Sequence, residues 1–180
     1  MKIEFIDKSL ILENGIKFTF GMTKSEVAKL LKGYKYSYSK TYLIYPKKVT
    51  HLDETYQYEK LGNIRLRYLD DSLFLFHIPV KSNELFFENV NLLNEDYKYT
   101  MKQLNSYGYV CHCKNSTLLS EYSFSNTSIE LIVKENKLWQ VTIPSQEYKK
   151  NKEKEEGLYY AKMSRDEEDN VVIRYTRIKK

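Results

Sequence analysis

Apolar and polar residues alternate through Asn63–Pro79 and again through Ser128–Pro144. Each stretch is broken by a polar turn, Asp70-Asp71-Ser72 in the first and Glu135-Asn136-Lys137 in the second. A period of two sends successive side chains to opposite faces of a strand, so each stretch predicts a β-hairpin. The two align without a gap. Ile64, Leu66, Leu73, Phe74, Phe76, Ile78 and Pro79 meet Ile129, Leu131, Leu138, Trp139, Val141, Ile143 and Pro144. Just upstream, Tyr56-Gln57-Tyr58 matches Tyr122-Ser123-Phe124. Two further hairpins are expected. Ser9–Leu12 and Ile16–Phe20 flank Glu13-Asn14-Gly15, where Asn-Gly suits a type I′ turn. Leu158–Met163 and Val171–Ile178 flank Arg165–Asn170.

A helical period appears in two places. Thr23-Lys24-Ser25-Glu26 is a capping box, with Met22 and Val27 at the staple positions. Val27, Leu30 and Leu31 form an apolar stripe, and Gly33 suits the stop. A second helix is expected from about Asn94, with Tyr97, Met101 and Leu104 on one side and Gly108 as its end. Gly33-Tyr34 and Gly108-Tyr109 then open matching strands, and the first copy holds extra residues around Thr41–Val49. Alternation alone would align any two hairpins. The shared order of helix, Gly-Tyr, aromatic strand and Pro-terminated hairpin argues for duplication. The expected fold class is α+β: two tandem helix-plus-antiparallel-sheet repeats with a C-terminal β-hairpin extension. Residues 1–80 would hold the first repeat with its N-terminal hairpin and 81–148 the second. The charged link and last hairpin would occupy 149–180.

Composition narrows the class. The chain has 180 residues, 42% hydrophobic and 29% charged, which is globular rather than disordered. Tyrosine is the outlier at 17 copies, in keeping with half-buried strand positions. Six glycines and three prolines leave little room for long loops. The net charge of +5 is uneven, positive over residues 1–80 and 150–180 and slightly negative over 81–149. A dedicated nucleic-acid binder would show a denser basic stripe. The opening Met1–Gly15 mixes acids with short apolar runs and does not read as a signal peptide. No stretch reaches the ~18 apolar residues of a membrane span, so no membrane partner is expected. A cytoplasmic address is expected, and Cys111 and Cys113, two apart on a strand, are poorly placed for a disulfide.

The segment Phe20–Gly33, followed by Tyr56 and Tyr58 and an alternating hairpin, resembles small modules of the outer-membrane-assembly lipoproteins and of β-lactamase inhibitor protein. The resemblance covers about residues 16–79 well and 94–144 loosely. It implies two modules in tandem whose sheet grips a partner protein. The chain departs from those families in showing no signal sequence and no lipid-anchoring cysteine near its start. Tandem modules of this type also resemble cytoplasmic immunity proteins paired with polymorphic toxins, which makes a cognate toxin one implied partner.

No catalytic pattern emerges. His51, His77 and His112 lack helical i, i+4 partners, so no zinc-protease pattern exists. In Cys111-His112-Cys113 the histidine would face away from both thiols, so no metal is expected. Asp70-Asp71 reads as a turn, and the charges of Arg165–Asp169 as a solvated turn. Gly62 and Gly157 are isolated, and no phosphate loop or Gly-x-Ser-x-Gly motif is present. No cofactor is expected, and the chain is read as not an enzyme. By strand parity Ile64, Leu66, Phe74, Phe76 and Ile78 should face the helices, with Ile129, Leu131, Trp139, Val141 and Ile143. Trp139 is thus read as packing. The opposite face would carry Gln57, Glu59, Arg65, Arg67, Leu75 and His77, then Glu121, Ser123, Glu130, Ile132, Gln140 and Thr142. Arg65, Arg67, His77, Glu130, Ile132 and Gln140 are the candidate partner-binding residues, with Ile132 as an exposed apolar anchor. The expected function is a protein-binding inhibitor or immunity-type protein that neutralises a partner through this open face. The alternatives are a nucleic-acid-associated protein using Arg65, Arg67 and the tyrosines, and a small-molecule sensor or enzyme with a pocket between the copies.

Overall fold

The structure is a computed structural model that describes residues 1–80, 83–94, 96–115, 119–155 and 159–178. The expected Leu158 and Gly157 positions lie outside the described residues. The strands in chain order are β1 (Lys2–Ile6), β2 (Ser9–Leu12), β3 (Lys17–Thr19), β4 (Ser37–Ile44), β5 (Thr50–Tyr58), β6 (Ile64–Leu69), β7 (Ser72–Pro79), β8 (Glu84–Phe87), β9 (Val90–Asn91), β10 (Cys111–Asn115), β11 (Ser120–Phe124), β12 (Glu130–Lys134), β13 (Lys137–Pro144), β14 (Tyr159–Arg165) and β15 (Val171–Arg177). Helix α1 spans Lys24–Leu30, α2 Tyr97–Ser106 and α3 Gln146–Glu155.

The strands form two sheets among the described residues. The smaller has the order β3-β2-β1-β8-β9, with β1 and β8 parallel. The larger runs β10-β11-β12-β13-β7-β6-β5-β4-β15-β14, with β15 parallel to β4. One buried cluster joins them: Ile3, Leu10, Phe18 and Leu85 of the small sheet pack with Ile64, Leu66, Phe76, Leu131, Val141 and Ile143 of the large one. Phe20 stacks on Phe76 at 4.6 Å between ring centroids. Val27 and Leu31 bring α1 into this cluster, and Tyr97 and Leu104 bring α2.

This overturns the α+β expectation of two helix-plus-antiparallel-sheet repeats. The chain is mostly β, 52% strand and 16% helix, with two large mixed sheets and three short helices. The physical reason lies in what covers the hairpins. A seven-residue helix such as α1 shields only part of a sheet, and a second sheet supplies most of the remaining cover. The C-terminal hairpin is no appendage, because β15 continues the large sheet from β4.

Local chemistry explains the individual elements. Thr23 caps α1: its side chain accepts from the Glu26 amide at 3.3 Å, and the Glu26 carboxylate accepts from the Thr23 amide at 2.8 Å. These bonds to Thr23 hold the Glu26 carboxyl below its usual range. Asp96 caps α2. The hairpins β6–β7 and β12–β13 both turn through two residues at positive φ, Asp70 and Asp71 in one, Glu135 and Asn136 in the other. That is type I′ geometry, whose twist matches the strands. Asp70 is held there by accepting from the Leu52 amide at 2.8 Å, and Asp71 by accepting from the Lys24 amide at 3.2 Å. The Glu13-Asn14-Gly15 loop differs from its expected I′ form: Gly15 is at φ +83° and Asn14 is not at positive φ. Leu12 donates to the Ile16 carbonyl, so three residues form the loop.

Candidate partner-binding face

Cross-strand register assembles the site on the face of the large sheet turned away from the core. One row runs Gln57, Arg65, His77, Thr142, Glu130, Ser123 and His112, each directly opposite the next. The neighbouring row pairs Ser39, Thr55, Arg67 and Leu75. The strand meanders meet at β7 and β13. His77 and Thr142 occupy matching positions of the two aligned hairpins and are direct partners there, so the two hairpins are related by a local twofold through this pair. Phe76 opposite Ile143 and Ile78 opposite Val141 follow the same operation.

Each hairpin also carries a bulge, and at the same place. Register slips between Arg67 and Tyr68 opposite Phe74, and between Ile132 and Val133 opposite Trp139. A bulge puts one extra residue on its strand and breaks the parity beyond it. This is why Phe74 and Trp139 depart from the expected core face. Leu73 and Leu138 take the core places, whereas Trp139 is 50% exposed. Phe74 is buried, but against Tyr148 of α3 at 4.5 Å and beneath the Arg67 guanidinium at 5.5 Å. Ile132 is also corrected: at 7% exposure it is no exposed anchor. Glu130 and Thr142 are buried too, and Glu59 lies in a 3-10 turn at Glu59–Leu61 rather than on a strand.

Around Arg65 the face forms a groove of about 360 Å³, lined by Ser37, Ser39, Thr55, Gln57, Arg65, Arg67 and His77. The two arginines differ in state. Arg67 is ion-paired with Asp53, which is 7% exposed, through Nη2 and through Nε at 3.3 Å. Arg65 donates from Nε to the Gln57 side-chain oxygen Oε1 at 2.8 Å, and among the described residues no carboxylate lies within ion-pair distance of it. His77 Nε2 lies 3.4 Å from Arg67 Nη1, which has only protons to offer, so Nε2 accepts. The ring proton then sits on Nδ1, 3.2 Å from the Thr142 hydroxyl, and the Gln140 side-chain amide donates to that hydroxyl at 3.3 Å rather than to Nδ1. Burial, with Arg67 and Arg65 nearby, pushes the His77 pKa down to about 3. His77 is therefore neutral, Arg67 is compensated, and Arg65 carries the groove's unbalanced positive charge.

The structure thus brings Arg65, Arg67, His77 and Gln140 together around one row, with Glu130 beyond Thr142. Sequence parity missed Lys134 and Lys137, which face each other at the tip of the second hairpin, and the β4 residues Ser37 and Ser39. The residues around Thr41–Val49, read as an insertion, form the end of β4 and its turn into β5, and none of them lines the groove. Cys111 and Cys113 are free thiols, the first raised in pKa by burial. Among the described residues no group of three metal-ligating side chains occurs, and no helix is long and apolar enough to cross a membrane. No protein family, curated protein or solved structure matches the chain.

Proposed function

We propose that this chain is a protein-binding module whose large-sheet face docks onto an acidic surface of a partner protein and neutralises that partner by covering it. The observation that carries this reading is Arg65, a guanidinium fixed by Gln57 in a groove and left without a carboxylate among the described residues. With Nε held on Gln57, the two terminal amino groups make no hydrogen bond among the described residues, which suits end-on pairing with a partner's carboxylate. A toxin neutralised by an immunity protein is one relationship of this kind.

The test is affinity capture from the source cell with the wild-type chain and with Arg65→Glu, quantified by mass spectrometry. The expected result is a protein retained by the wild type and lost with Arg65→Glu, whose association slows as salt rises. Adding the wild-type chain should suppress that protein's activity. An identical set of proteins on both baits overturns the proposal.

A further inference from the structure

The local twofold exposes an asymmetry. After β13, Ser145 donates its amide to the Phe74 carbonyl at 2.7 Å, and the chain turns into α3, which lays Tyr148 over Phe74. The symmetry mate of that bond is present: after β7, Val80 donates to the Trp139 carbonyl at 3.4 Å. The helix is not repeated there. Instead Asn83 turns back to the Gly62 carbonyl at 2.9 Å, and β8 joins the small sheet. One bulge aromatic is therefore covered by a tyrosine-bearing helix, and its mate, Trp139, stands 50% exposed.

The surroundings of Trp139 carry charge. Lys134 and Lys137 face each other across β12–β13, both exposed, and among the described residues neither has a carboxylate within ion-pair distance. Like charges directly opposite one another are destabilising on a sheet. An acidic occupant would relieve that repulsion, whereas α3, with lysines at 149 and 150, would aggravate it.

Resting on the protein-binding reading above, we infer that Trp139 is the seat of an acidic amphipathic helix of the partner, an aromatic side chain of which covers the indole as Tyr148 covers Phe74. The lysine pair selects the helix's charge. Trp139 is the single tryptophan of the chain, so its fluorescence reports the seat directly.

The probe is a hydrocarbon-stapled helical peptide with the sequence of residues 145–155, every lysine replaced by glutamate. It is titrated into the full chain beside a stapled peptide of the unaltered sequence. The acidic peptide should shift Trp139 emission to the blue with a saturating curve that weakens as salt rises. The unaltered peptide should leave the emission in place. Lys134→Glu combined with Lys137→Glu should weaken the acidic peptide by about fivefold or more. No shift with either peptide, equal shifts with both, or unchanged affinity in the double variant overturns the inference. Capture that depends on Arg65 but is indifferent to Trp139→Ala would overturn this seat alone and leave the protein-binding proposal standing.

Discussion

His77 and Thr142 stand directly opposite each other on β7 and β13, at matching positions of two hairpins, and the His77 Nδ1 lies 3.2 Å from the Thr142 hydroxyl. The pair is the pivot about which the two hairpins are arranged. The polar pair at this point is held on both sides: Arg67 donates to Nε2, Thr142 accepts from Nδ1, and Gln140 donates to the Thr142 hydroxyl. The pivot therefore locks the histidine neutral and fixes how the two halves of the sheet meet.

That lock has a pH signature. With the His77 pKa at about 3 in the fold and 6.5 as its ordinary value, the unfolded chain binds more protons than the folded chain between those values. Stability from this group is complete above about pH 6.5 and falls as pH drops from there towards 3. Unfolding midpoints measured across pH 7 to 4 should decline in the wild type, and His77→Gln should flatten part of that slope. An NMR titration should find the His77 ring unprotonated at pH 5.

Arg65 and Arg67 lie two residues apart on one face, yet their replacement should have unlike consequences. Arg67→Ala leaves the Asp53 carboxylate 7% exposed and without its ion pair. The expected cost is about 2 kcal/mol, below that of a fully buried pair because Arg67 itself is partly solvated. Arg65→Ala removes one bond to Gln57 and should cost less than about 1 kcal/mol. Urea unfolding of the two variants measures the difference.

Thr23→Ala opens the capping box of α1 and should cost about 1 kcal/mol. Thr23→Ser keeps the hydroxyl and should restore most of it. Both are read by urea unfolding against the wild type.

The contrast between what alternation revealed and what it hid is clearest at the bulges. Periodicity located β6, β7, β12 and β13 because residues such as Ile64, Leu66, Ile129 and Leu131 alternate cleanly. It misassigned Phe74 and Trp139 because a bulge inserts one residue without changing composition, and parity counted across it is off by one. The capping box of α1 was legible because Thr23 and Glu26 act within four residues of each other. The small sheet was only partly legible. The β2–β3 hairpin has a turn signal in Gly15, but β1 and β8 are parallel partners far apart in the chain, and no local pattern announces that pairing. Likewise, no neighbour in sequence told that Arg67 would be spent on Asp53 and Arg65 would not.

Gly62 reads from the sequence as an isolated glycine, yet the fold requires it. Its φ is +64°, and a Cβ there would overlap the Asn83 carboxamide, whose amide donates to the Gly62 carbonyl at 2.9 Å. Asn83 is 8% exposed and packed between that carbonyl and the one of Pro79, so it has little room to yield. Gly62→Ala should destabilise by more than the roughly 1–2 kcal/mol of a left-handed backbone alone. Pairing it with Asn83→Ala should recover part of the loss, which a double-mutant cycle resolves.

Phe74 and Trp139 offer the sharpest comparison, since they are the same position of two hairpins with opposite surroundings. Phe74 is 5% exposed and closed in by Tyr148 and Arg67, so Phe74→Ala removes a buried ring and unseats α3. A loss of about 3 kcal/mol is expected, at the low end for buried aromatic truncations because part of the pocket is a partly solvated arginine and a surface helix. Trp139→Ala removes a side chain half in water and should cost about 1 kcal/mol or less. If the two costs prove equal, Trp139 is packed in solution and the asymmetry between the hairpins is not real. If they differ as expected, one copy of the hairpin has spent its bulge aromatic on holding the fold together. The other has kept its own exposed at the cost of leaving apolar surface in water, a cost that the fold itself does nothing to offset. Chemical denaturation of both variants, with far-UV circular dichroism to follow α3, decides between these outcomes.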